Sequence, residues 1–238
     1  MSDGHQPVLS FAAGYHLRAR PLCDGRVRMK NFELKAVGFE DDGFGHEEFL
    51  AGKYDAGEFS LANYCALKSR GEPYMAIPVF PNRKFRHSYI FVREDSPLKE
   101  PMQLKGKKVG IPSWLNTCGL WVRGILSDEY GVKASDIHWI MPREGKLQLT
   151  LPAGTRLDVV PSEETLGARL LKNEFDAIVV PDFPLGKGWR RLFADSKTVE
   201  QEYFRRTGIF PTSQAITFHS SYLKKHPSAA QGDVQRLP

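Results

Sequence analysis

Apolar runs of strand length recur along the chain: Val8–Ala12, Phe32–Val37, Tyr54–Phe59, Tyr74–Phe80, Ser88–Val92, Lys107–Ile111, Ile137–Met141, Leu157–Val160, Phe175–Val180 and Ala215–Phe218. Between several of them the apolar positions switch to helical spacing. "FSLANYCALKSRG" carries Leu61, Tyr64, Cys65 and Leu67, with Gly71 as a stop, and "TCGLWVRGILSDEYG" sets Leu120, Trp121, Ile125 and Leu126 on one stripe that ends at Gly131. "SEETLGARLLKNE" reads as a helix with Ser162 as N-cap, two acids in its first turn, and Leu166, Leu170 and Leu171 turned to a core. Strands alternating with helices predict an α/β fold with a largely parallel sheet.

The pattern breaks at Arg93 to Lys108, which is charged, contains proline and is poor in apolar residues, and a second break is expected near Glu202 to Pro211. These breaks predict a discontinuous first lobe, residues 1–93 and 208–238, with a second lobe, 94–207, inserted into it. A ligand is then expected in the cleft, because open α/β sheets bind at the carboxyl ends of their strands. The closing "HPSAAQGDVQRLP" reads as a polar tail, and no internal repeat is present.

Composition narrows the function classes. At 238 residues and 41% hydrophobic content the chain can bury one large core or two small ones. The 33 Lys and Arg against 28 Asp and Glu are scattered and leave +5, which argues against a nucleic-acid partner. Three cysteines, Cys23, Cys65 and Cys118, lack zinc-ligand spacing and imply neither a disulfide framework nor a structural metal. The N-terminal residues have no basic region followed by a long apolar one, and no run approaches the ~18 residues of a membrane span, so the expected location is cytoplasmic, without a membrane partner.

The candidate chemistry lies at strand ends. Glu58 ends an apolar strand, where a carboxylate either pairs with an arginine or works as an acid; Ser60, two residues on, is a helix cap or a hydrogen-bond donor. In "PVFPNRKFRHS", Arg83 and Arg86 can hold carboxylates, Lys84 reads as solvated, and His87 is suited to move a proton near neutral pH. Thr117 and Cys118 stand at the start of the helix after the strand Lys107–Ile111, where free N–H groups favour an anion. Arg123 on that helix faces either the cleft or solvent. Asp182 ends "FDAIVVPD" as a second acid or hydroxyl acceptor.

Taken in order, "LCDGRV", "YDAGEFSLANY", "AIPVFPNRKFRHSYIFV", "LKGKKVGIP", "TCGLWVRGILSDEYGV", "FDAIVV", "RLF" and "RRTGIFP" resemble the 4,5-dihydroxyphthalate decarboxylase family across Pro21 to Pro211. The resemblance implies a two-lobed fold like that of type 2 periplasmic solute-binding proteins, with a small aromatic carboxylate as substrate. It implies cofactor-independent loss of CO2 from 4,5-dihydroxyphthalate or a related catechol or phenol carboxylate, with no metal. It also implies His87 and Glu58 as acid–base residues, Arg83 and Arg86 as carboxylate clamps, and Ser60, Thr117, Cys118 and Asp182 as substrate contacts. Three places depart from the family pattern: Tyr15-His16 stands for a Tyr-Asp pair, Ser113 for an acid, and Ser213-Gln214 for Met-His. Two other readings stay open, a non-catalytic binding protein for a small carboxylate and a degenerate homologue. A homo-oligomer is expected if apolar surface is left for a partner subunit to cover.

Overall fold

The computed structural model describes residues 6–40, 45–143, 147, 151–182, 186–231 and 234–236. The chain divides into two compact units, Met1–Asn82 with Thr212–Pro238, and Arg83–Pro211. In chain order the first unit contributes β1 (Val8–Gly14), α1 (Arg20–Cys23), β2 (Val27–Met29), β3 (Glu33–Phe39), α2 (His46–Leu50), β4 (Ala56–Ser60), α3 (Leu61–Ser69) and β5 (Tyr74–Ala76). The second holds β6 (Ile90–Arg93), β7 (Lys108–Gly110), α4 (Thr117–Tyr130), β8 (His138–Met141), β9 (Arg156–Val159), α5 (Leu166–Leu171), β10 (Ala177–Val179), β11 (Trp189–Arg191) and α6 (Ser196–Thr207). The chain then returns to the first unit with β12 (Gln214–His219), α7 (Ser220–Lys225) and β13 (Val234–Arg236).

The first unit's main sheet has the order β3-β1-β4-β12-β5. β1 runs parallel to β3 and β4, and β12 runs antiparallel to β4 and β5. Along β1 the alternate residues Leu9, Phe11 and Ala13 enter one core with Ala56, Phe218 and Tyr222, as the period of two in a strand requires. Phe59 of β4 lies on the other face against Phe49 of α2, ring centroids 5.2 Å apart. Ser10 ties β1 to the start of β4, its hydroxyl donating to Asp55 at 2.6 Å and accepting from the Asp55 amide at 2.9 Å.

β4 lies inside the sheet, between β1 and β12, and this centre is crowded. Gly57 faces Ala12 across the parallel pair, and a Cβ at Gly57 would come within 2.9 Å of the Ala12 carbonyl oxygen. Backbone cannot yield as a side-chain tip does, so Gly57→Ala is expected to cost about 2 kcal/mol, read from the urea midpoint. An unchanged midpoint would mean that the two strands can part at no cost.

The second unit's sheet has the order β11-β6-β10-β7-β8-β9, parallel from β10 to β9 and antiparallel at β6 and β11. Its two faces are covered by separate cores, one built on Ile90, Val109, Val122, Leu126 and Trp139, the other on Phe91, Ile140, Leu170, Phe175 and Ile178. α4 ends on Gly131 with φ 61°, the left-handed turn its sequence calls for.

Several local expectations need correction. The first crossing between units falls at Asn82, earlier than Arg93, because β6 pairs with β10 and β11 of the second sheet. α5 is capped by Thr165, whose hydroxyl accepts from the Ala168 amide at 3.2 Å, and Ser162 accepts instead from Glu164. The polar stretch expected to be a tail carries a 3-10 turn at Pro227–Ala230 and β13, which pairs with β2. The second crossing falls after Pro211, at the end of the segment expected for it, whose first half is the end of helix α6.

Candidate functional site

The polar residues that gather at one end of the first sheet follow from its topology. β1 and β4 are parallel, so their carboxyl ends share an edge, and the antiparallel β12 starts there, with Gln214 opposite Ser60. His16 and Arg18 follow β1, Glu58 and Ser60 close β4, and Gln214 opens β12. Five residues far apart in the chain are thereby brought to the strand ends where α/β sheets bind ligands.

Glu58 is the centre of this group and is 2% exposed. Arg18 Nη2 donates to its Oε1 at 2.5 Å and to the Gln214 side-chain oxygen at 3.3 Å. His16 Nε2 lies 3.7 Å from Glu58 Oε2. The His16 Nδ1 is 2.5 Å from the Gly14 carbonyl oxygen, which can only accept, so Nδ1 carries a hydrogen and Nε2 is the nitrogen turned towards Glu58. The side chains of His16 and Arg18 are 28% and 34% exposed, so the buried carboxylate is reached from solvent through its two cationic neighbours. His46 Nε2 lies 3.2 Å from the Glu58 carbonyl oxygen. Ser60 caps α3 through the Asn63 amide at 3.4 Å, which is the structural role its position allowed.

The Arg18–Glu58 pair has a measurable consequence. Glu58 is buried and Arg18 a third exposed, so Arg18→Leu leaves the carboxylate without its main partner and is expected to destabilise the first unit by about 2 kcal/mol, below the full value for a wholly buried pair. Adding Glu58→Leu should recover most of that loss in the double variant. Additive single losses would show that the two residues do not act together.

The second unit gathers another set. Asn116 caps α4, its side chain accepting from the Gly119 amide at 3.2 Å, and Thr117 and Cys118 form the buried start of that helix. The Cys118 thiol lies 3.6 Å from the Val180 carbonyl oxygen and is hydrogen-bonded to Arg86, whose guanidinium sits 5.1 Å from the centre of the Tyr89 ring. Burial pushes the thiol up to about 11 against the opposing pull of Arg86. Cys118 is therefore a protonated thiol at neutral pH rather than a nucleophile. Asp182 is exposed and pairs with Lys84 at 3.7 Å, so the lysine read as solvated has a carboxylate partner. Arg83 is exposed.

His87 requires a correction. It is 1% exposed, in the short 3-10 turn His87–Tyr89, with its ring edge-on to Phe193 at 5.4 Å and Tyr203 at 5.0 Å. Burial lowers its pKa to about 4; Glu129 pulls it up and Arg206 down by lesser amounts, and those two residues are themselves an ion pair. A ring held neutral inside an aromatic box does not suit the expected role of proton donor near pH 7. Arg123, expected in the cleft or in solvent, is buried against Trp114.

His16, Arg18 and Gln214 are the site residues that candidate selection at strand ends passed over. His16 and Gln214 were visible as departures from a family pattern, but Arg18 lies 40 positions from Glu58, and only the parallel pairing of β1 with β4 joins them. Among the described residues, no three His, Cys, Asp or Glu side chains converge as a group that could hold a metal ion. No helix among them is long and apolar enough to cross a membrane.

Comparison with known proteins places these observations in a family. Residues 45–231 match the family model described as ABC transporter, phosphonate, periplasmic substrate-binding protein. Among solved structures, the periplasmic aliphatic sulphonate binding protein SsuA of Escherichia coli aligns with a TM-score of 0.59 at 18% identity, over 94% of this chain and 69% of that one. The alkanesulfonate-binding protein SsuA of Xanthomonas axonopodis pv. citri aligns with 0.54 at 14% identity, over 96% and 71%. These likenesses establish the type 2 periplasmic-binding-protein fold. Curated relatives are nearer in sequence: 4,5-dihydroxyphthalate decarboxylase of Comamonas testosteroni is 35% identical over 92% of this chain and 70% of its own length. The Pseudomonas putida enzyme of the same name is 36% identical over 74% of this chain and 71% of its own length. With its two mixed sheets on a binding-protein plan and 35% and 36% identity to these enzymes over the aligned residues, the chain belongs to the 4,5-dihydroxyphthalate decarboxylase family.

Proposed function

We propose that the protein removes CO2 from a hydroxylated aromatic acid, 4,5-dihydroxyphthalate or a related catechol or phenol carboxylate. The observation that carries this reading is the buried Glu58 carboxylate, held by Arg18 and within 3.7 Å of His16, in a chain of this family.

The chemistry asks for a proton at the ring carbon that bears the departing carboxylate. A hydroxyl para to that carbon loses its proton to water as the carbon gains one, and the ring passes into a dienone form. Breaking the carbon–carboxylate bond returns its electron pair to the ring, CO2 leaves, and the phenolate regains a proton. The net change is one carboxylate and one proton converted to CO2 and a ring C–H. His16 Nε2 is the proposed donor to carbon. The Glu58 carboxylate faces this nitrogen at 3.7 Å, and the Gly14 carbonyl holds the ring's orientation. Arg18, partly exposed, is the proposed grip on the carboxylate that stays, since holding the departing one equally well in the ground state would not speed its loss. Ser60 and Gln214 are proposed hydrogen-bonding partners of the hydroxyls.

The match to a binding-protein family model favours a second reading, in which a small carboxylate is held without turnover. Incubation with 4,5-dihydroxyphthalate, following CO2 and thermal stabilisation together, separates the two. The decarboxylase reading expects catalytic release of CO2. Saturable stabilisation with no CO2 would overturn it in favour of the binding protein.

A further inference from the structure

Gln214 opens β12 and is 5% exposed, an amide enclosed at the edge of the first sheet where β1 and β4 end. Its cross-strand partner is Ser60, and Ile216, two residues on, stands opposite Glu58, so the strand period of two sets Gln214 and Glu58 on the same face. Arg18 joins them: its Nη2 donates to Glu58 Oε1 at 2.5 Å and to Gln214 Oε1 at 3.3 Å. All three residues belong to the first unit.

These contacts fix which way the amide points. A guanidinium only donates, so the oxygen of the Gln214 carboxamide faces Arg18; turned over, the amide would set donor against donor. Its Nε2 is then directed away from Arg18, makes no hydrogen bond among the described residues, and is not sealed from solvent. An enclosed amide that leaves two N–H donors unused is costly to a fold, and an oxygen brought by a ligand would answer them.

We infer that Gln214 is the residue that distinguishes hydroxylated from unhydroxylated aromatic acids, donating through Nε2 to a ring oxygen of the ligand. This rests on the reading of the protein as one that binds such acids, but not on its turning them over, and it gives a direction to the contact with the hydroxyls. An amide free to turn would accept from a hydroxyl as readily as it donates; Arg18 removes that choice. Gln214 therefore offers nothing to take up the hydroxyl's own hydrogen, which leaves to water, and its bond to the ring oxygen strengthens as that oxygen gains negative charge. It acts as a specificity residue and neither takes nor gives a proton.

The test compares 3,4-dihydroxybenzoate, the product expected of the proposed reaction, with benzoate, which shares its ring and carboxylate but has no hydroxyl. In calorimetry with the full chain, the parent is expected to bind the dihydroxy acid about tenfold more tightly than benzoate. Gln214→Met keeps an unbranched side chain of similar length and removes the donors, so it should bring that ratio to about one by weakening the dihydroxy acid alone. A glutamine with a purely structural role would weaken both acids together and leave the ratio at the parent's value, which overturns the proposal. A parent that binds the two acids equally overturns it without any variant. Binding of neither acid at tens of millimolar would overturn it together with the reading on which it rests, whereas loss of CO2 release alone would touch only the decarboxylase reading and leave the ratio intact.

Discussion

Glu58→Gln is expected to lower kcat for CO2 release by about a thousandfold while the protein stays folded. Glutamine keeps the shape of the side chain and an oxygen for Arg18 Nη2, so β4 and its neighbours need not move. What it removes is the negative charge 3.7 Å from His16 Nε2, the nitrogen proposed to deliver a proton to carbon. Phthalate binding should change far less than kcat, because Arg18 keeps its charge. A variant within threefold of the parent in kcat would remove Glu58 from the chemistry and leave it as a buried structural pair.

The second large effect concerns stability in acid. His87 has a pKa of about 4 in the folded chain, against 6.5 for a free histidine. Below pH 6.5 the unfolded chain takes up a proton there that the folded chain refuses until about pH 4. The contribution is therefore fully present above 6.5, shrinks through the window from 6.5 to 4, and amounts to about 3 kcal/mol at most. Replacing the ring by His87→Leu, whose apolar side chain suits the Phe193 and Tyr203 box, removes this term. Carboxylates also titrate near the lower end, so the quantity to read is the parent-minus-variant difference in urea-derived stability between pH 7 and pH 4.5. The parent should lose about 2.5 kcal/mol more than the variant over that range. Parallel losses would mean that the ring is protonated where it sits, contrary to its burial.

These two residues also show how far the chain could be read before its structure. The strand runs were legible because they are short, apolar and punctuated by Gly and Pro, and β1, β3, β4, β8 and β12 fall within a few residues of their expected places. Tyr74–Phe80 was overread, since only Tyr74–Ala76 pairs with β12. α6 was hidden by its composition: Arg, Glu, Gln and Lys dominate "SKTVEQEYFRRT", and few of its side chains are buried. Glu58 was legible as a carboxylate that needed an arginine, but which arginine depended on strand pairing that no local pattern carries. His87 looked like chemistry because it stands beside Arg86 and an apolar strand. The structure turns it to the aromatic side chains of Phe193 and Tyr203, more than a hundred residues away in the chain. Arg123 shows the same limit, its setting being made by Gly119 one helical turn earlier and by the tryptophans at 114 and 139.

The central claim, protonation of a ring carbon with loss of its carboxylate, is tested most directly by running the reaction with 4,5-dihydroxyphthalate in D2O and analysing the aromatic product. The account predicts 3,4-dihydroxybenzoate carrying one deuterium at the carbon that lost CO2, formed over many turnovers by the parent and about a thousandfold more slowly by Glu58→Gln. Recovery of unchanged dicarboxylate after prolonged incubation with folded protein would contradict it.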